Sequence, residues 1–343
     1  MHDIDVFEYA PTADKYRLER KRRPMAKLGF HQVRVAVKAV SLNYRDHIAL
    51  HNLARRQVGG RIPCSDGAGV VEEVGEGVTR WKVGDRVMGS FFATWGKGPF
   101  QMAYHQHDLG GTVDGMLGSF VTLEESSLVA TPGYLSDLEA STLPCAALTA
   151  YHALFVRGQL SAGQTVLCLG TGGVSVFALQ FAAAAGAQVL ITSSSDEKLA
   201  RAVELGATHT INYRSHAEWQ KVVDELTAHR GVDHVVEVGG PGTFDRSLQS
   251  VAAGGHIALI GVLTGFGPPT GSLFPLVARN IRLNGIYVGS QEMFKEMNQF
   301  LESHQLHPVI DRVFPYDQSR QAFEWLASGH HFGKVVIDLS ATH

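Results

Sequence analysis

Along residues 33–40, Val-Arg-Val-Ala-Val-Lys-Ala-Val, apolar and polar positions alternate with a period of two. That is the pattern of a strand that buries one face. Residues 67–75 place Ala68, Val70, Val71 and Val74 between glycine turns, and Val83 to Gly89 reads as a turn into a further strand. Residues 92–119 have no period and are rich in Gly, His and aromatics. They read as a long irregular lobe, a feature that is often functional. The texture changes near Pro132, and apolar positions then recur at helical spacing over residues 136–156. From there strands and helices alternate. Strands are predicted over 165–169, 188–192, 209–212, 232–238, 256–262 and 281–288, with helices over 173–185, 196–205, 217–228 and 242–251. A helix over 291–302, a strand over 309–314, a helix over 319–327 and a strand over 334–339 close the chain. The alternation predicts an α/β fold with a doubly wound parallel sheet.

One turn in this run carries chemistry. The strand Thr165-Val166-Leu167-Cys168-Leu169 runs into Gly170-Thr171-Gly172-Gly173-Val174-Ser175 and then into an apolar helix. The first glycine allows a tight turn, and the second lets backbone approach a pyrophosphate. The helix N-terminus then presents free N–H groups and a partial positive charge. Ser175 stands where the third glycine of such a fingerprint belongs, and it is small enough for close helix–strand packing. A nicotinamide dinucleotide is the expected ligand. The next strand selects between its two forms. NAD-binding units place an acid at that tip to hold the ribose hydroxyls. Here the tip is Thr192-Ser193-Ser194-Ser195, the first acid is Asp196, and Lys198 and Arg201 follow. Hydroxyls and cations suit a 2′-phosphate, so NADPH is expected over NADH.

Bulk properties narrow the class. The chain has 343 residues, is 45% hydrophobic and 18% charged, and carries a formal net charge of -3. That is enough for two globular domains and points to no nucleic-acid or membrane-surface partner. The charged start lacks an apolar leader core, and the apolar run near 176–187 is too short to cross a bilayer. The three cysteines, Cys64, Cys145 and Cys168, form no Cys-x-x-Cys pair. A reducing, cytoplasmic setting follows as the expectation.

Several motifs carry a resemblance across nearly the whole chain. They are Val40-Ser41-Leu42-Asn43-Tyr44-Arg45-Asp46, Ser65-Asp66-Gly67-Ala68-Gly69, Val83-Gly84-Asp85-Arg86-Val87 and Leu143-Pro144-Cys145-Ala146-Ala147-Leu148-Thr149. The phosphate turn, Ile211-Asn212-Tyr213, Asp233 to Gly240 and Gly333-Lys334-Val335-Val336 complete the set. The sequence resembles the medium-chain dehydrogenase/reductase superfamily. The resemblance implies a GroES-like β-barrel domain from residues 1–149 and 290–343, a Rossmann domain from 150–289, and an active site in the cleft. It also implies cofactor contacts at Thr149, Gly170, Thr171, Gly172, Gly173, Val174, Ser193, Ser194, Lys198 and Tyr213. Further contacts are implied at Gly239, Val262, Leu263, Val288, Phe332, Gly333 and Lys334. Relatives pair through the last Rossmann strand, which implies a homodimer across that sheet edge.

The superfamily contains zinc alcohol dehydrogenases and zinc-free reductases. Matched motif by motif, the positions of the catalytic zinc ligands hold Asn43, Ser65 and Cys145, with Asp66 for a glutamate. Residues 92–119 lack the cysteines of a structural zinc site. No metal is therefore expected, with His105-x-His107 the dissenting pair. The resemblance then implies hydride transfer to an already activated substrate, an enone or a quinone. Tyr44 is the expected proton donor and Asn43 a donor to substrate carbonyl or ribose. Arg45 and Asp46 are expected to pair with each other or cap a helix, and Phe91, Phe92, Trp95 and Phe266 to line a pocket or fill a core. Two alternatives stay open: an alcohol dehydrogenase or aldehyde reductase with an atypical metal site, and an NADPH-binding sensor without turnover.

Overall fold

The computed structural model describes residues 3–342; residues 1, 2 and 343, the outer limits of the expected domains, lie outside it. The chain divides into two compact units. One runs to Leu148 and resumes at Val288; the other is Thr149–Tyr287.

The Thr149–Tyr287 unit is built on a six-stranded sheet. Its order is His209–Asn212, Gln188–Ser193, Thr165–Cys168, Val232–Glu237, Val251–Leu259 and Arg282–Gly285. Every pairing is parallel. In chain order this is 3-2-1-4-5-6, which reverses between Thr165–Cys168 and Val232–Glu237. Ligands of such sheets gather at that reversal, outside the carboxyl ends of the strands. The central strands are buried except at Asp233, as suits parallel strands covered on both faces. The helix Gly173–Ala184 is likewise buried over most of its surface, from Ser175 to Ala182.

The other unit holds a seven-stranded sheet. Six strands run in the order Ile310–Pro315, Lys334–Asp338, Gln32–Ser41, Asp66–Val74, Arg86–Gly89 and Leu128–Ala130, and Phe120–Glu124 pairs with Gln32–Ser41. The C-terminal strand Lys334–Asp338 thus inserts beside the long early strand, antiparallel to it. Val33, Val35, Val37 and Val40 face a core shared with Val71, Val87, Leu123 and Val335.

One element is added to the expected ones and one expectation changes. Asp3–Pro11 and Tyr16–Pro24 form an antiparallel hairpin in a segment that the sequence marked only by its charge. Its charges pair instead: Arg20 with Asp5, and Lys21 and Arg23 with Glu8. The single helix expected over 136–156 is broken into Asp137–Ala140, Leu148–Tyr151 and two π-helical stretches, Leu143–Ala147 and His152–Arg157. Pro144 enters the first π stretch, and a ring without an N–H cannot continue an α ladder.

Candidate active site

In the Thr149–Tyr287 unit the phosphate turn follows directly from the chain. Gly170 takes a left-handed φ of +71°, which glycine adopts without penalty. Gly172 caps the helix Gly173–Ala184. A Cβ added at Gly170 or Gly172 would meet nothing within 4 Å. The cradle is open where a pyrophosphate would lie, so the residues fit a dinucleotide. Thr171 is buried between the two glycines, while Gly173 and Val174 open the helix. The Ser175 hydroxyl donates to Leu169 O at 2.6 Å, which ties the helix to the strand where the third glycine would have allowed close approach. Gly170 N–H donates to Thr192 Oγ1 at 3.0 Å, joining the turn to the neighbouring strand.

That strand ends in the hydroxyl run. Ser193 is buried, and its carbonyl accepts from Tyr213 N–H at 3.0 Å. Ser193, Ser194 and Tyr213 therefore gather at one strand tip, and Lys198 lies in the first turn of the helix that Ser195 caps. Asp196, the first acid, accepts from Asn212 Nδ2 at 2.7 Å. The Gly239–Gly240 turn has a partner that sequence reasoning did not single out. Fully buried Glu237 accepts from Gly239 N–H at 2.8 Å, Gly240 N–H at 3.0 Å and Thr243 Oγ1 at 2.6 Å, and also from Ser247 Oγ. The N–H of Gly239 is thus spent inside the protein. The turn abuts Val262, whose Cα lies 3.3 Å from a Cβ built on Gly240, and Leu263 beyond it is half exposed. Thr149 is buried at the start of this unit.

The second cluster belongs to the other unit. Asn43 precedes the helix Tyr44–Leu50. Its N–H donates to Asp46 Oδ2 at 2.8 Å, so Asp46 caps this helix. Burial raises the Asp46 carboxyl to about 6, against the pull of Arg45. Arg45 turns elsewhere. Its guanidinium bonds fully buried Asp108 at 2.5 Å and Leu109 O at 2.6 Å, and lies 4.3 Å from the centre of the Phe91 ring. Arg56 adds a second cation to Asp108. Arg45 therefore anchors the lobe over 92–119, and the expected Arg45–Asp46 pair gives way to it. Tyr44 is 37% exposed and stacks on His47.

Lys334 was expected at the cofactor, and the structure places its ammonium inside this unit. It is 2% exposed, and its Nζ donates to Leu42 O and Asn43 Oδ1, both at 2.7 Å. Asp66 Oδ2 stands 3.8 Å from the same nitrogen. Asp66 also accepts from Ser65 Oγ at 2.7 Å and Cys145 N–H at 3.3 Å. Burial pushes the Asp66 carboxyl up, while Lys334, Asn43 and Ser65 draw it back. Phe332 is buried, with its N–H on Asp311, and Gly333 takes a φ of +81°. Val288, with φ +54°, is a β-branched residue in a region that disfavours it.

Zinc needs deprotonated soft ligands around an open position. The residues assembled here are an amide, a hydroxyl, one carboxylate, an ammonium and Cys145. Burial and then Asp66 push the Cys145 thiol upward. This set does not fit zinc. Among the described residues no three His, Cys, Asp or Glu side chains converge as a metal site. His105 and His107 end the helical turn Met102–His107, and the ring of His105 packs on Phe92 and Phe100. Phe91, Phe92 and Trp95 are buried in the same aromatic core, whereas Phe266 is exposed.

Two family models match the chain: an alcohol dehydrogenase GroES-like domain over residues 29–133, and a zinc-binding dehydrogenase over residues 173–303. A zinc-type alcohol dehydrogenase-like protein of Schizosaccharomyces pombe is 45% identical over 95% of this chain and 94% of its own. The chain belongs to the medium-chain dehydrogenase/reductase superfamily. The two units are thus its GroES-like and Rossmann-type folds, and the protein is an oxidoreductase of this superfamily. The crystal structure of a Sinorhizobium meliloti 1021 protein assigned as an alcohol dehydrogenase superimposes with a TM-score of 0.92 at 40% identity, covering 99% of this chain and 100% of that one. An acryloyl-coenzyme A reductase of Metallosphaera sedula is 30% identical over 89% of this chain and 92% of its own. Superfamily membership means that a nicotinamide dinucleotide serves the reaction.

Proposed function

We propose that this superfamily member is an NADPH-dependent reductase that needs no zinc and delivers hydride to an activated C=C bond or a quinone. The observation that carries the reading is the donor set at the position matched to the metal site, where Asn43 and Asp66 meet the Lys334 ammonium and the Ser65 hydroxyl and Cys145 N–H donate to Asp66. Without a Lewis acid, the oxygen of an isolated alcohol or carbonyl needs other groups to polarise it. A conjugated substrate is already polarised. The Metallosphaera relative, whose name specifies a conjugated thioester, supports this choice.

Bound NADPH supplies the hydride. A new C–H bond forms at the electron-poor carbon, the C=C electron pair moves toward the conjugated oxygen, and a proton completes the product. The Asn43 amide donates to that oxygen as its charge develops. Tyr44, at the start of its helix, supplies the proton. In the Rossmann unit Gly170, Thr171, Gly172, Gly173 and Val174 receive the pyrophosphate. Ser193, Ser194, Lys198 and Tyr213 take the 2′-phosphate. Thr149, Gly239, Val262, Leu263, Val288, Phe332 and Gly333 complete the cofactor's surroundings. The protein acts as a homodimer through the edge strand Arg282–Gly285. That strand's outer side is open, and Phe274, Val277, Leu283 and Tyr287 beside it are exposed; an apolar edge of this kind invites pairing with a second copy. Among the described residues no helix is long and apolar enough to cross a membrane. The three free cysteines support a reducing, cytoplasmic compartment.

Chelator-dialysed protein should consume NADPH in the presence of small enones or quinones, and metal analysis should find no stoichiometric zinc. Turnover that returns only with zinc, or only with alcohols, would favour the alcohol dehydrogenase alternative. Tight NADPH binding without turnover on any substrate would favour a sensor.

A further inference from the structure

Lys334 has three N–H donors and no acceptor. Two of them reach Leu42 O and Asn43 Oδ1 at 2.7 Å. An ammonium meets only acceptors, so the Asn43 amide is set with Oδ1 toward the lysine and Nδ2 at its other end. That Nδ2 is buried and leans on the Asp66 carboxylate, without a hydrogen bond of full geometry among the described residues. A buried donor without a well-formed hydrogen bond is costly, and an incoming oxygen relieves the cost.

The backbone holds the arrangement in place. Leu42 N–H donates to Val335 O at 2.9 Å, and Ser41 pairs with Val336 across the antiparallel strands. A Cβ on Gly333 would come within 2.5 Å of Val309 O, so the chain enters the terminal strand with Lys334 aimed at Leu42 and Asn43. Asp66 balances the charge, which lets an ammonium persist at 2% exposure.

We propose that Lys334 is a positioning residue that makes Asn43 an oxygen-binding donor. It fixes which end of the amide faces away from the ammonium, and its charge on Oδ1 polarises the amide so that Nδ2 donates more strongly. The positive charge a metal would bring to the substrate oxygen is thereby relayed through one side chain. No proton leaves the lysine. This role rests on the reductase reading above.

The test compares NADPH-driven reduction of an enone by wild type, N43A, K334M, K334R, K334M/N43A and K334M/D66N. Loss of Lys334 alone strands the Asp66 charge and threatens folding, so K334M/D66N, which removes both charges, carries the decision. It should keep its thermal midpoint, its NADPH affinity and its enone KM, while kcat falls about 10-fold or more, in the direction of losing an oxyanion donor. K334R should recover part of that loss. K334M/N43A should match N43A within about two-fold, because both act through one group. Wild-type kcat in K334M/D66N, or additive losses in K334M/N43A, would overturn the role while leaving the reductase reading intact. A wild-type enzyme inactive on every enone and quinone would overturn both.

Discussion

Glu237 in one unit and Asp66 in the other are both fully buried carboxylates, and the two are satisfied in opposite ways. Glu237, in the Rossmann unit, accepts from two backbone N–H groups and two hydroxyls, all from residues 239–247. Asp66, in the GroES-like unit, draws on Ser65, Cys145 and Lys334, which are spread from one end of the chain to the other. The first is a local solution that shapes a turn with neutral donors. The second is a long-range solution that holds a charge. A carboxylate closed by neighbours serves architecture, whereas one closed by distant segments leaves room for chemistry to vary.

The largest test of this contrast is E237A. It should strip four donors of their acceptor and destabilise the protein by roughly 3–5 kcal/mol in denaturant unfolding. A loss below about 1 kcal/mol would show the network to be dispensable.

The pH dependence of stability separates the units next. Burial lowers His234 and His256, paired across adjacent Rossmann strands, to about 4. The unfolded chain takes up protons near 6.5 and the folded one only near 4, so stability is complete above 6.5 and falls as pH drops toward 4. Roughly 2–3 kcal/mol is at stake for each imidazole. Asp46 in the GroES-like unit works the other way. Its folded value is raised to about 6, so it costs stability as pH rises from about 4 through 6. Unfolding free energies at pH 7 and pH 4.5 should show H234Q/H256Q flattening the acid-side loss. An unchanged slope in that variant would remove the histidines from the explanation.

Cofactor variants sharpen the comparison further. G172V adds its Cβ into open space, so its melting temperature should stay near wild type while NADPH affinity falls about 100-fold by titration. Wild-type affinity would place the pyrophosphate elsewhere. The smallest effect is expected for S193D, which should shift the NADPH-to-NADH preference about 10-fold toward NADH as an acid meets the ribose. An unchanged ratio would detach the hydroxyl run from cofactor choice.

Legibility in the sequence followed the range of the interactions. The Rossmann strands announced themselves because apolar runs and glycine turns recur within a few residues of each other. The N-terminal hairpin stayed hidden because Tyr16–Pro24 carries mostly charge, and its pairing with Asp5 and Glu8 exists only once the register is set. The motif Asn43-Tyr44-Arg45-Asp46 was visible as a site, but not its division of labour. Arg45 leaves for Asp108, 63 residues away, and Asp46 stays to cap the helix.

The sequence by itself determined the α/β alternation, the phosphate turn, the missing ribose acid and the missing zinc ligands, because each is written in residues a few positions apart. Only the tertiary structure decided that Lys334 enters the Asn43–Asp66 cluster. That contact closes a span of 291 residues, and no local pattern records which buried partner an ammonium will find.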